Sequence, residues 1–137
     1  MQYEFHAYGH SNISAKHKTT LEFTKDQEIT KKADCIIGVN ADFDLNEIKN
    51  FINKCKNNEI SIKIKAAGKN NEKIEETVLA ELNPEFNSET EIVIRKTDFI
   101  SERTLAIKAN KSSFELKRGI IHFLKNKENR ITITIQN

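Results

Sequence analysis

Side chains able to transfer protons, bind ligands or coordinate metals are concentrated near the amino terminus of this chain. Residues 9–38 hold two of the four histidines, one of the two cysteines and two of the four glycines. Imidazole, thiolate and carboxylate groups are the usual general acids, general bases and metal ligands of proteins. We therefore expect any functional site to be built around this segment.

Four residues are candidates for acid–base catalysis: His10, His17, Glu22 and Asp34. A histidine oriented by either carboxylate can act as a general acid or base. Cys35, next to Asp34, offers a thiol, but its apolar neighbours indicate a buried thiol with a raised pKa. These residues form no known catalytic signature. A small hydrolase or transferase is therefore an alternative hypothesis, and the sequence leaves open whether the protein is an enzyme.

Metal binding is a related hypothesis. His6, His10 and His17, together with Asp34 or Cys35, are ligands of the kind that suit zinc. Only His6 and His10 stand two to four residues apart, so the spacing does not indicate a preformed local site. We predict no metal ion and no cofactor. Zinc is the ion that this set would bind if the histidines converge.

The turn Gly9-His10-Ser11-Asn12 is rich in hydrogen-bond donors, and it is the first candidate for ligand binding. Glycine permits a positive φ and a close approach of the backbone to a ligand. We expect Gly9, His10 and Asn12 to contact a ligand, assisted by the Thr20 hydroxyl and by Arg103. Strand propensity is a competing explanation for the threonines.

The charge distribution bears on which ligand this would be. The net charge is only +2, but residues 101–137 carry eight cations and three anions. Arg103, Lys108, Arg118 and Lys125 are therefore candidates for phosphate contacts, although a solvated surface also explains the excess. Tyr8 is the best stacking platform. No phosphate-binding glycine loop and no RNA-binding aromatic signature is present. The leading hypothesis is a non-catalytic protein that binds nucleic acid, such as RNA, or a phosphorylated, nucleotide-like ligand.

The elements that position these residues are predicted to be mainly strands. Alternation predicts strands over residues 3–8, 14–24, 35–39, 60–65, 74–82, 91–95, 105–109 and 130–136, and a turn over 66–71. Helical spacing predicts a helix over 45–55 and a second one capped by Ser112 or Ser113. Strands that come in runs favour antiparallel pairing. We predict one domain, residues 1–137, with a mainly β fold: an antiparallel sandwich of about eight strands with two amphipathic helices.

Two strands carry specific predictions. In the strand over 14–24, His17 is expected to share one face with Leu21 and Phe23, and Thr20 and Glu22 the other. The strand Arg130–Gln136 is expected at a sheet edge, where it could pair with another chain in a larger assembly. This is a third functional hypothesis.

The chain has two distant cysteines, no signal-peptide pattern and no apolar run long enough to cross a membrane. We therefore expect a cytoplasmic protein with free thiols and no membrane partner. The oligomeric state is left open.

Four motifs resemble an archaeal family, domain of unknown function 371. They are Gly9–Asn12, His17–Thr24, Asp34–Val39 and Arg103–Ala109. The resemblance implies an archaeal, cytosolic, single-domain protein with a β-sandwich and added helices, and it implies no activity. The chain departs from the family pattern at Ser11, where proline is expected, and at Ala33, where glycine is expected. Both positions are expected in turns, so the departures concern loop shape.

Overall fold

The computed structural model describes residues 1–67 and 73–137, and across these residues it contains eight strands and two α-helices. Their order is the predicted one: three strands, a helix, four strands, a helix and a final strand. The bounds are β1 Gln2–Tyr8, β2 Thr20–Thr24, β3 Ile36–Gly38, α1 Leu45–Lys54, β4 Glu59–Ala67, β5 Lys73–Leu82, β6 Glu91–Arg95, β7 Thr104–Ile107, α2 Arg118–Phe123 and β8 Arg130–Gln136. Of the turn predicted over 66–71, residues 66 and 67 still belong to β4, and 68–71 lie outside the described residues.

The eight strands form one sheet in the order β1-β8-β4-β5-β7-β6-β2-β3. The predicted mainly β fold with about eight strands and two helices is confirmed. The strands form a single hydrogen-bonded sheet, and two pairs, β2–β3 and β6–β7, are parallel. Tyr8 and Val39 exchange backbone hydrogen bonds of 2.8 Å between the two ends of the sheet. The sheet therefore curls around its own core.

Alternate residues of the strands fill this core, as a period of two requires. Phe5 packs edge-on against Phe23 and Phe43, with ring centroids 5.4 and 5.8 Å apart. Helix α1 adds Ile48 and Phe51, both buried, from its inner face. Asp44 begins α1 because its carboxylate accepts a 2.9 Å hydrogen bond from the backbone N–H of Glu47, as an N-cap should.

The prediction that Arg130–Gln136 is an edge strand is wrong. β8 pairs with β1 on one side and with β4 on the other. Its three isoleucines are buried, as the alternation indicated. Alternation reports which face of a strand is buried, but it carries no information on how many neighbours the strand has. Both hydrogen-bonding edges of β8 are thus used within the chain.

The strand predicted over 14–24 is shortened to Thr20–Thr24, and the residues before it form a loop. His17 therefore does not share a strand face with Leu21 and Phe23. Its Nδ1 accepts hydrogen bonds from the backbone N–H groups of Thr19 and Thr20, at 3.2 and 3.1 Å. Ala15 has a φ of 51°, in the left-handed region, so the extended conformation is interrupted there.

The second predicted helix is divided into two parts. Ser112 precedes a 3-10 turn at Ser113–Glu115, where it forms a capping box with Glu115, and α2 follows from Arg118. Ile120 and Ile121 of α2 are buried, and its partly buried residue Phe123 packs at the edge of the same core. Within residues 1–67 and 73–137, no helix is both long and apolar enough to span a membrane.

Candidate functional site

The segment between β1 and β2, residues 9–19, lies between two other segments. On one side, the backbone N–H groups of Lys16 and His17 donate to the Asp34 carbonyl at 2.9 and 3.2 Å. On the other, the His10 N–H donates to the Leu124 carbonyl at 2.8 Å. Residues 25–35 and the carboxyl end of α2 therefore form two walls, with the Gly9–Asn12 turn between them.

Gly9 is required here because the backbone of the residues after α2 approaches it closely. A Cβ at this position would lie 2.2 Å from the Asn126 carbonyl oxygen and 2.4 Å from that of Leu124. The close approach is made by the chain's own backbone, whereas the sequence analysis considered a close approach to a ligand. The positive φ that glycine permits is not used, since the φ of Gly9 is outside the left-handed region.

His10 uses both ring nitrogens to hold the turn. Nδ1 accepts a 3.0 Å hydrogen bond from the Asn12 N–H, so the ring proton is on Nε2, which donates to the Glu28 carboxylate at 3.1 Å. The Asn12 side-chain amide donates to the Ile29 carbonyl at 2.8 Å. The His10 side chain is only 12% exposed. Because both ring nitrogens are hydrogen-bonded, His10 is better suited to holding the turn in place than to acting as a general base or a metal ligand.

Two adjoining depressions follow these walls, and together we call them the loop–helix groove. The amide depression, about 1000 Å³, is lined by the Gly9–Asn12 turn, Tyr8, Gln27, Glu28, Val39, Asn40, His122 and residues 125–127. The cationic depression, about 540 Å³, is lined by residues 11–14, Lys16, Lys31, Asp34, Arg118, Ile121, His122 and Lys125. They share Ser11, Asn12, His122 and Lys125.

Two cations of the cationic depression are fixed by backbone carbonyls. Arg118 donates from its guanidinium to the carbonyl oxygens of Ala15 at 3.1 Å and of Ser113 at 2.8 Å, among others. Lys125 Nζ donates to the Ile13 carbonyl at 2.9 Å. Neutral carbonyls orient these groups but leave their full charge in place. Among the described residues, neither side chain forms an ion pair with a carboxylate.

The predicted ligand-binding residues fall in two places. Gly9, His10 and Asn12 line the amide depression, and Asn12 lines both depressions. Thr20 is buried in β2, and Arg103 binds Glu91 at 2.6 Å; neither lines the groove. The sequence prediction therefore assigned these residues to one site, whereas the fold places them in two separate regions.

The predicted catalytic residues are also dispersed. Asp34 lines the cationic depression, His17 supports a turn, and Glu22 pairs with Arg103 at 3.5 Å. His6 binds a different carboxylate, that of Asp42, at 3.1 Å. Over residues 1–67 and 73–137, no three His, Cys, Asp or Glu side chains are placed to hold a metal ion.

Glu22 belongs to a second polar group, on the outer face of the sheet, which we call the Glu22–Arg103 cluster. It comprises Glu22, Glu91, Arg95, Arg103 and Thr104. The Glu22 side chain is 8% exposed. Arg103 bridges the two carboxylates, and Arg95 Nε donates to Thr104 Oγ1 at 3.0 Å. The pKa of Glu22 is raised to about 7, mainly by burial and also by the charge of Glu91, while the two arginines oppose the shift.

Cys35 lies beside this cluster and has the raised pKa that its apolar context predicted. Burial raises the pKa of the thiol to about 11, and the charge of Glu22 adds to the shift. Neither Cys35 nor Cys55 forms a disulfide. At neutral pH, Cys35 is therefore a protonated thiol rather than a nucleophile.

The profile of the family described as domain of unknown function DUF371 matches residues 5–137. The chain belongs to this family. The uncharacterised protein MJ0206 of the archaeon Methanocaldococcus jannaschii is 39% identical over 129 residues, which cover 91% of this chain and 92% of that protein. The resemblance indicated by the motifs is thereby confirmed.

In this DUF371 chain the motifs that carried the resemblance are divided between the two polar regions. Gly9–Asn12 and Asp34 line the groove, whereas Glu22 and Arg103 form the cluster. Ser11, where proline is expected, is exposed in a turn at the rim of the groove. Ala33 also lies in a loop, as predicted, and its N–H donates to Thr30.

Several groove residues were missed by sequence reasoning: Lys16, Gln27, Lys31, Asn40, His122 and Lys127. Each is a common polar residue, and no sequence spacing relates one to another. These residues are related only in space, because they come from loops and from α2, which meet only when the sheet has curled.

Proposed function

We propose that this DUF371 protein binds a phosphorylated small molecule in the loop–helix groove without catalysing a reaction on it. The observation that carries the proposal is the composition of the cationic depression. Its lining includes four cations and a single carboxylate, Asp34; the cations are Lys16, Lys31, Arg118 and Lys125. They come from three segments far apart in the sequence. Converging positive charge attracts phosphate, and charge-assisted hydrogen bonds to it are strong.

The state of these cations supports the proposal. Arg118 and Lys125 are held by carbonyl oxygens, so little conformational freedom is lost when they meet an anion. Lys16 and Lys31 are exposed, and within the described chain they form no ion pair that a ligand would have to break. In addition, Ser14 Oγ is a buried hydroxyl that has no hydrogen-bond partner among residues 1–67 and 73–137, and Ser14 lines the same depression. A hydroxyl of this kind is able to donate a hydrogen bond to a phosphate oxygen.

A small ligand is favoured over nucleic acid by the shape and placement of the charge. The depressions have volumes in the range of small-molecule sites, which extends to about 1,000 Å³. A nucleic-acid surface would need cations along an extended stripe. Two other cations of the basic C-terminal portion are paired with carboxylates. Arg103 Nη1 lies 2.6 Å from Glu91 Oε2, and Lys108 Nζ lies 3.6 Å from Glu81 Oε2. Much of the charge excess outside the groove is therefore compensated.

Binding without catalysis is favoured by the histidines. His10 has both ring nitrogens bonded, and His17 has Nδ1 bonded to two backbone N–H groups. A hydrolase or transferase that uses His10, His17 and Asp34 would have to break these bonds. The proposal keeps the cytoplasmic setting expected from the two unpaired cysteines.

The test is isothermal titration calorimetry of the full chain with inorganic phosphate, pyrophosphate and ribose 5-phosphate. We expect Lys31→Gln and Lys16→Gln each to weaken binding of ribose 5-phosphate about tenfold, equivalent to about 1.4 kcal/mol. Lys65→Gln is the matched control, since Lys65 is exposed on β4 and does not line the groove. Raising the salt concentration should weaken binding, because exposed charges are screened. If no phosphorylated compound gives saturable binding, the proposal is wrong.

A further inference from the structure

The two depressions of the groove differ in chemical character. The cationic depression has four cations and one carboxylate. The amide depression has Lys125 and Lys127 against Glu28, and the rest of its polar lining is mostly uncharged. Four carboxamides contribute to it: Asn12, Gln27, Asn40 and Asn126. A ligand that matches both must have an anionic end and an uncharged end rich in hydrogen-bonding groups.

Among the described residues, two of these carboxamides form hydrogen bonds within the chain, and two are left for a ligand. The Asn12 amide donates to Ile29, and Asn126 Oδ1 accepts from the Glu128 N–H. In the part of the chain that the structure describes, Gln27 and Asn40 form no side-chain hydrogen bond. A carboxamide offers one acceptor and two donors, the pattern that the edge of a nucleobase requires.

Tyr8 supplies the remaining feature of a base-binding site. It is half-buried and lines the amide depression beside Asn40 and Val39. An aromatic ring next to unpaired carboxamides can stack on a flat heterocycle while the amides bond its edge. The shared rim, Ser11 and Asn12, offers a hydroxyl and backbone groups between the two depressions, where a sugar would lie.

From this arrangement we infer that the ligand is a nucleoside monophosphate, with its phosphate in the cationic depression and its base in the amide depression. The inference rests on the proposed function and adds the class of ligand to it. An amide-lined half of about 1000 Å³ would remain unused by inorganic phosphate or by a small sugar phosphate.

The experiment compares four nucleoside monophosphates, the matching nucleosides, ribose 5-phosphate and a six-nucleotide single-stranded RNA, by calorimetry with the full chain. We expect at least one nucleoside monophosphate to bind about tenfold or more tightly than both ribose 5-phosphate and its own nucleoside, since a stacked base adds roughly that factor. The six-nucleotide RNA should bind no more tightly per site than the mononucleotide.

Variants distinguish the two ends of the groove. Gln27→Ala and Asn40→Gly should reduce the affinity for the nucleoside monophosphate and leave that for ribose 5-phosphate unchanged; glycine is chosen because the φ of Asn40 is 52°. Lys31→Gln should weaken the binding of the nucleoside monophosphate and of ribose 5-phosphate by the same factor. Circular dichroism of each variant checks that the fold is retained.

The possible failures are separable. Equal affinities for ribose 5-phosphate and every nucleoside monophosphate would overturn the inference and leave the proposed function standing. Tighter binding of the RNA would overturn it in favour of a nucleic-acid surface. If none of the phosphorylated compounds binds, both the inference and the proposed function are wrong.

Discussion

The loop–helix groove and the Glu22–Arg103 cluster are both polar, but they treat charge in opposite ways. In the groove, Arg118 and Lys125 donate to neutral carbonyls and keep their charge available. In the cluster, Arg103 is placed between Glu22 and Glu91, so opposite charges compensate one another. The groove is built from loops and α2, and the cluster mainly from strands. A cation that lacks a counterion remains able to attract an anion, and this property separates the groove from the cluster.

The largest expected effect concerns the framework of the groove. Gly9→Ala places a methyl group within 2.4 Å of two backbone carbonyl oxygens. Because backbone atoms cannot rotate away, we expect a loss of about 3 kcal/mol in the free energy of unfolding. Urea denaturation measures it. The matched control is Gly119→Ala, where the nearest atom is the side-chain Cδ1 of Ile74 at 3.1 Å. That variant should be near neutral, since alanine favours helix; equal losses would contradict our account of Gly9.

The next effect tests the electrostatics of the cluster. The pKa of Glu22 is raised from 4.5 to about 7 by burial. Between these values the folded protein keeps a proton that the unfolded chain has released, so the free energy of unfolding falls as the pH rises through this window. Glu22→Gln removes this dependence. Between pH 4.5 and pH 8, the variant should gain on the order of 2–3 kcal/mol relative to the wild-type protein. If the free energy of unfolding of the two proteins varied with pH in parallel, the pKa of Glu22 would not be shifted in the folded protein.

A smaller effect contrasts one cation from each region. Arg103→Gln leaves Glu22 without its cation. We therefore expect the free energy of unfolding to fall by about 1 kcal/mol at pH 8. The loss should be smaller at pH 5, because Glu22 is protonated there. The loss at pH 8 is below the value for a buried pair because the Arg103 side chain is 51% exposed. The variant should bind ribose 5-phosphate as the wild-type protein does. Lys31→Gln should show the reverse, with unchanged stability and weaker binding. Weaker binding in Arg103→Gln would mean that the two regions are not independent.

The smallest effect is a change in thiol reactivity. A pKa of about 11 leaves little Cys35 thiolate at pH 8, so alkylation of Cys35 should be slow. Since the charge of Glu22 contributes to that pKa, Glu22→Gln should accelerate the alkylation of Cys35 by a few-fold. Mass spectrometry of alkylated peptides follows the rate at Cys35, with Cys55 as the internal reference. An unchanged ratio of the two rates would indicate that Glu22 and Cys35 are not coupled.

The fold was predictable wherever the signal is local. The period of two in β8 and β4, and the helical spacing that follows Asp44, identified elements whose bounds agree closely with the structure. The same reasoning failed at residues 14–19, which alternate like a strand but form a loop. Arg118 donates to the Ala15 carbonyl, and the backbone N–H groups of Lys16 and His17 donate to the Asp34 carbonyl. Nothing in the local sequence predicts these contacts.

The candidate site was predictable only in part. The Gly9–Asn12 turn was identified because its composition is unusual, and it lines the groove. Thr20 and Arg103 were grouped with it because their side chains are suited to binding, yet the fold places them in or beside the cluster. Lys16 and Lys31 were not identified at all, since an isolated lysine in a lysine-rich chain carries no signal.

The order of the elements, the buried faces of β1, β4, α1 and β8, and the protonated state expected of Cys35 could all be read from the sequence alone. These properties follow from short-range patterns, because a side chain's burial is set largely by the period of its own strand or helix. In contrast, the interior position of β8 and the meeting of lysines from three segments at one groove are apparent only in the folded chain. Those outcomes depend on contacts between residues distant in the chain, such as Ala15 and Arg118, which are 103 positions apart.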